Sequence, residues 1–145
     1  MGTQPPIVPV TINLKSEIRH PGQDTDFMEL ELAGTITEKG GRRYLRYEEK
    51  QNAETVRTTI KLDPEDAVIM RTGAIRMRLP FAPGGTRPGT YANGPLALDL
   101  HVVTNELLLT EDHDRGEFRV SYDMHAEDGL LGHYELTITY AEGTR

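Results

Sequence analysis

The chain has no cysteine and no tryptophan, and only nine of its 145 residues are aromatic. Without cysteine there is no disulfide, no thiolate nucleophile and no Cys-ligated zinc. Basic residues are also few: 16 Lys and Arg stand against 23 Asp and Glu, a formal charge of −7. That balance argues against nucleic acid, whose phosphates are gripped by clustered Lys and Arg. The imbalance is local, because residues 1–94 carry a net +1 and residues 95–145 a net −8. Long apolar runs are missing as well. No stretch approaches the roughly 20 residues of a membrane-spanning helix, so no membrane partner is expected. The N-terminal Met1-Gly2-Thr3-Gln4-Pro5-Pro6 has neither the charged nor the apolar region of a signal peptide, which makes the cytoplasm the expected location.

What the chain does have is alternation. Apolar and polar residues exchange places at every second position, the mark of strands that bury one face and wet the other. Val10, Ile12, Leu14 and Ile18 alternate with Thr11, Asn13, Lys15 and Glu17, and Met28, Leu30, Leu32 and Ile36 repeat the pattern. A weaker run spans Arg42 to Lys50. Further runs cover Val56–Leu62, Ala67–Arg71, Ile75–Phe81, Leu96–Val102, Phe118–Met124 and Tyr134–Tyr140, about nine in all. Turn residues fill the gaps, as at His20-Pro21-Gly22, Lys39-Gly40-Gly41 and Asp63-Pro64-Glu65. Short connections make consecutive strands antiparallel neighbours, and no helical period argues for crossover helices. A meander of this size curls, and closing it removes the exposed edges. The expectation is an all-β fold. An antiparallel up-and-down β-barrel of eight to nine strands would form a single domain over residues 9–145, behind a flexible N-terminal segment of residues 1–8.

Parity also predicts two hairpin registers. At the last hairpin, Met124 pairs with Tyr134, Val120 with Ile138 and His125 with His133, around a three-residue turn Asp128-Gly129-Leu130. At Thr72-Gly73, read as a two-residue turn, Met70 pairs with Ile75 and Val68 with Met77. Ile69, Arg71, Arg76 and Arg78 are then sent outward.

Specific strings go further. Val68-Ile69-Met70-Arg71-Thr72-Gly73-Ala74-Ile75-Arg76-Met77, Tyr122-Asp123-Met124-His125 and Leu136-Thr137-Ile138-Thr139-Tyr140-Ala141-Glu142-Gly143-Thr144 resemble the YwiB-like family of small bacterial proteins. The likeness runs from about Pro9 to Thr144 and includes Thr11-Ile12-Asn13-Leu14-Lys15-Ser16. It implies a lipocalin-like, or calycin-like, antiparallel barrel. It implies no activity, and no catalytic residue is carried over. True lipocalins bear a Gly-x-Trp signature in their first strand; this chain has no Trp, so their ligand transport is not carried over either.

Candidate chemistry is sparse. A cross-strand His125/His133 pair with Asp123 on the same face has the donor types of a zinc site with an open position. The plainer reading is a pair of exposed hairpin histidines. Residues 111–117, Glu111-Asp112-His113-Asp114-Arg115-Gly116-Glu117, look faintly like a calcium loop, but Arg115 and Gly116 break the ligand spacing and favour a solvated turn. Residues 82–94 are the longest turn-rich segment. They fail as a P-loop and read either as a lid over one barrel mouth, with Tyr91 covering a ligand, or as a plain connection. Arg71, Arg76 and Arg78 have the guanidinium forks to clasp a carboxylate or phosphate, or they form a wet sheet face paired with acids. No nucleophile constellation appears: the serines are Ser16 and Ser121, and no Gly-x-Ser-x-Gly elbow is present. An enzyme is unsupported, and no cofactor is expected.

The inward faces are more informative. Ile12, Leu14, Leu30, Leu32, Ile60, Met77, Leu79, Leu98, Val120, Met124 and Ile138 would line the interior, with Ser16, Thr58, Tyr122 and Tyr134 as polar points. Apolar walls with a few oriented hydroxyls suit a small ligand. The candidate ligand-binding residues are therefore Thr58, Arg71, Met77, Tyr91, Tyr122, Met124 and Tyr134. Two readings stand side by side: a non-enzymatic binder of a small apolar molecule, or a filled barrel serving structure or protein interaction, with a homodimer as one form of it. Interior volume separates them.

Overall fold

The computed structural model describes residues 7–51, 53–127 and 129–143. The alternating runs become ten antiparallel strands. These are β1 (Ile7–Arg19), β2 (Asp26–Lys39), β3 (Arg42–Gln51), β4 (Glu54–Leu62) and β5 (Ala67–Gly73). After them come β6 (Arg76–Phe81), β7 (Thr86–Asn93), β8 (Leu96–Glu111), β9 (Arg115–Ala126) and β10 (Gly129–Glu142). Each strand pairs with its neighbours in sequence, and β1 also pairs with β10, so the meander closes into a barrel. Among the described residues no helix is long and apolar enough to cross a membrane.

The count exceeds the sequence reading by one strand, and the addition is β7. Residues 82–94 are not a lid: Thr86–Asn93 is built into the wall, with Tyr91 opposite Met77 on β6 and Leu98 on β8. Pro88 and Gly89 concealed it, because both are depleted in strands. The ladder shows how they are accommodated. Pairing between β6 and β7 ends at Arg78↔Thr90, short of Pro80 and Pro88, neither of which has an N–H to give. Gly89 permits a close approach, since a Cβ there would lie 2.7 Å from the Arg78 carbonyl oxygen. At the N-terminus β1 begins at Ile7, so Ile7 and Val8 are strand rather than flexible lead. The rest of that expected segment, residues 1–6, lies outside the described residues.

Both predicted hairpin registers change. At the last hairpin Tyr134 pairs with Tyr122 and Leu136 with Val120, and the register shifts between Leu130 and Gly132. The extra residue, Leu131, forms a bulge, Gly129 pairs with Ala126, and Asp128 of the expected turn lies outside the described residues. The slip is two residues, so every side chain keeps its expected face while changing partner. At Thr72-Gly73 the slip is odd, and the faces of β5 reverse while those of β6 stay as expected, with Met77 inward and Arg76 and Arg78 outward. Arg71 pairs with Met77 and Ile69 with Leu79, while Gly73, at φ +109°, folds onto β4 opposite Val56. Ile69 and Arg71 therefore point inward, and Met70 outward. Successive apolar residues at 68, 69 and 70 left the alternation without a preferred phase there. Within 111–117 the hairpin connection is residues 112–114, between the end of β8 and the start of β9, and the Asp112 N–H donates to the Arg115 carbonyl at 2.8 Å.

The inward faces pack one half of the barrel solid. Ile12, Leu45, Ile60, Phe81, Phe118 and Ile138 are fully buried there. At its rim Arg43 pairs with Glu111, whose carboxylate also accepts a hydrogen bond from the Tyr140 hydroxyl at 2.7 Å.

Candidate functional site

Toward the opposite end, where the β1–β2, β3–β4, β5–β6 and β9–β10 connections turn, the packing gives way to a half-open cavity of about 290 Å³. The interior is thus neither filled throughout nor hollow throughout. Leu14, Met28, Met77, Met124 and Leu136 form apolar wall. The polar groups are Ser16, Tyr47, Glu49, Thr58, Arg71, Tyr122 and Tyr134, with Glu135 at the margin, where its half-exposed carboxylate is held by His133.

Strand parity explains each placement. On β4, Val56, Ile60 and Leu62 are buried, and Thr58 between them must face the same way. It is 1% exposed, and its hydroxyl, although near the Tyr47 phenol, makes no hydrogen bond of normal geometry. A buried, unpaired hydroxyl costs about 1–3 kcal/mol, so a fold that keeps one beside a cavity calls for an explanation. On β9 and β10, Tyr122 and Tyr134 are cross-strand partners with rings stacked at 5.1 Å and an interplanar angle of 11°. Tyr122 also tilts against Phe81 at 4.8 Å, which joins the cavity wall to the packed half. Burial pushes both phenols above their usual pKa, with the proximity of Tyr134 adding to the effect at Tyr122. Tyr47 is pushed up to about 12 by burial first and then by the charge of Glu49, with the Thr58 hydroxyl and Arg71 acting the other way. All three phenols are neutral hydrogen-bonding groups at physiological pH.

A charged pair completes the polar side. The Arg71 Nη2 donates to Glu49 Oε1 at 3.2 Å, with 23% and 15% of the two side chains exposed. Sequence reasoning missed Glu49 and Tyr47. Parity along β3 would have found them, because Leu45 and Tyr47 are buried and Glu49 follows in the same phase. Beside Glu49 the wall is split. The β2–β3 ladder begins at Gly34↔Tyr47, and the two strands part at this point, leaving Asp26–Ala33 and Glu48–Gln51 unpaired with each other.

Six of the seven candidate residues from the sequence meet around this cavity: Thr58, Arg71, Met77, Tyr122, Met124 and Tyr134. Tyr91 does not line it and instead packs against the core from β7. The arginine trio is also dispersed, because Arg76 and Arg78 are exposed while Arg71 is inside.

The metal candidates are rearranged too. His133 stands opposite Asp123, not His125, and donates from Nδ1 to Asp123 Oδ1 at 2.6 Å and from Nε2 to Glu135 Oε2 at 3.1 Å. Those two carboxylates, Asp123 first, raise the imidazole pKa and occupy both of its nitrogens. His125 lies opposite Leu130 and His101. Among the described residues no group of three or more His, Asp or Glu side chains is arranged to hold a metal ion. A larger hollow of about 510 Å³ lies on the outer face between Thr11, Arg115 and Tyr140, but it is a shallow depression open to solvent.

A closed antiparallel meander, solid in one half and hollow in the other, defines the class: a small β-barrel protein with an interior cavity. Residues 12–138 match the family described as "Domain of unknown function (DUF1934)", and the chain belongs to that family. It is 29% identical over 136 residues to the "Uncharacterized beta-barrel protein YwiB" of Bacillus subtilis (strain 168), a match covering 94% of this chain and 95% of that one. The crystal structure of the ywiB protein from Bacillus subtilis aligns with a TM-score of 0.84 at 28% identity, over 95% of this chain and 94% of that chain. The resemblance read from the strings holds.

Proposed function

We propose that this protein is a calycin-like, non-enzymatic binder that holds one small, mostly apolar molecule in its interior cavity. The observation that carries the reading is the half-packed interior: a cavity of about 290 Å³, close to the lower bound of roughly 300 Å³ for small-molecule sites, walled by three methionines. Methionine is flexible and polarisable, which suits a wall that must fit a guest. Native mass spectrometry of protein purified without denaturation tests it. The expected result is a bound mass of small-molecule size that is released on unfolding; protein of bare chain mass that also takes up no added small molecule would contradict it.

An interaction role draws on a different observation, the unpaired β2 edge from 26 to 33, where Phe27 is 76% exposed. Self-pairing of that edge about Leu30 would set Glu29 against Glu31 of a second copy, a like-charge contact that disfavours a homodimer through it.

A further inference from the structure

Within the cavity Glu49, Thr58 and Arg71 gather on one side, on the adjacent strands β3, β4 and β5, and they specify more than polarity. Resting on the reading of the cavity as a ligand site, we infer that the ligand presents an uncharged planar head group with a hydrogen-bond donor beside an acceptor, of the carboxamide or lactam class, to Arg71, Glu49 and Thr58.

The charge at this point excludes simpler heads. An anion placed against Arg71 also stands beside Glu49, and a cation placed against Glu49 stands beside Arg71, 3.2 Å away. The pair is neutral as a unit, so neither ion gains from both members. A neutral group with a donor and an acceptor does gain from both. The Arg71–Glu49 contact joins one guanidinium nitrogen to one carboxylate oxygen, and guanidinium has five N–H donors, so donors and lone pairs are left for a third party. Thr58 is the independent observation. Its hydroxyl lines the same cavity and is buried, and although it stands near the Tyr47 phenol it makes no hydrogen bond of normal geometry, so it can still give or accept one. The stacked Tyr122 and Tyr134 rings add a flat wall against which a planar body can lie. The size is consistent, since about 290 Å³ equals roughly ten waters at liquid density, room for a single-ring amide.

Benzamide, benzoate and benzylammonium share one ring and differ in head charge, which makes them suitable probes for calorimetric titration of the full chain. Benzamide is expected to bind about tenfold more tightly than either ion, the effect of one well-made hydrogen bond. Thr58→Val, nearly isosteric, is expected to weaken benzamide about tenfold while the protein stays folded. Glu49→Gln leaves Arg71 uncompensated and is expected to move the preference to benzoate. Equal affinities for the three probes, or benzamide binding unchanged in both variants, would overturn the head-group assignment and leave the cavity reading standing. No binding by any probe would overturn both.

Discussion

Arg71 on β5 and Glu49 on β3 meet inside the barrel with β4 between them, Nη2 to Oε1 at 3.2 Å. Each charge is tolerated there because the other is present. Arg71→Met or Glu49→Leu alone is expected to cost about 1–3 kcal/mol, mostly for the charge left behind. The double variant is expected to cost less than the two singles combined. Urea denaturation of the four proteins measures the coupling, and strict additivity would show that the pair does not act as a unit.

The two halves of the interior predict unequal sensitivity to truncation. Phe118 is fully buried in the packed half, so Phe118→Ala is expected to cost about 3–5 kcal/mol. Met124 borders the cavity, where much of its surface already lacks close neighbours, and Met124→Ala is expected to cost no more than about 1–2 kcal/mol. Equal losses in thermal or chemical unfolding would mean the cavity is filled in solution.

Thr58→Val replaces an unpaired buried hydroxyl by a methyl of the same shape. The ligand-free protein is expected to gain about 1 kcal/mol. Weaker ligand binding together with greater stability is the signature of a residue kept for binding. A loss of stability would show instead that the hydroxyl is satisfied in solution.

His133 gives the fold a pH dependence whose sign follows from its two carboxylate partners. Its pKa is raised above the ordinary 6.5, first by the hydrogen bond to Asp123 and then by that to Glu135. The charged imidazole therefore stabilises the folded state fully below pH 6.5, and the contribution is lost as pH rises through the raised value. The stability difference between the protein and a His133→Gln variant is expected to shrink across that window. A difference that grew with pH would reverse the assignment.

How much of this was legible in the sequence depends on parity. On β10 the pairing of Gly129 with Ala126 and the one-residue bulge at Leu131 together leave the register two residues from the one read, and because side chains repeat every two residues, Tyr134 and Leu136 still face the interior as read. On β5, three apolar residues in a row at 68–70 erased the phase, so Arg71 was sent to the wrong side until Gly73 folded onto β4 and set it. Strand β7 was invisible because Pro88 and Gly89 are turn residues by composition, and only the pairing with β8 makes them strand. Thr58 was legible as an inward hydroxyl; that it has no partner was not, since this depends on what lies across the barrel. The cavity volume is likewise a property of packing between strands far apart in sequence.

Three of the five methionines, Met28, Met77 and Met124, line the cavity, while Met70 points outward from β5 with 38% of its surface exposed. Carbon-13 labelling of the methionine methyls therefore places reporters inside the proposed site and a control outside it. On titration with benzamide the account predicts saturable shifts of the Met28, Met77 and Met124 methyls with Met70 unmoved. Resonances that all stay fixed up to the solubility limit, or a Met70 shift as large as the others, would contradict it.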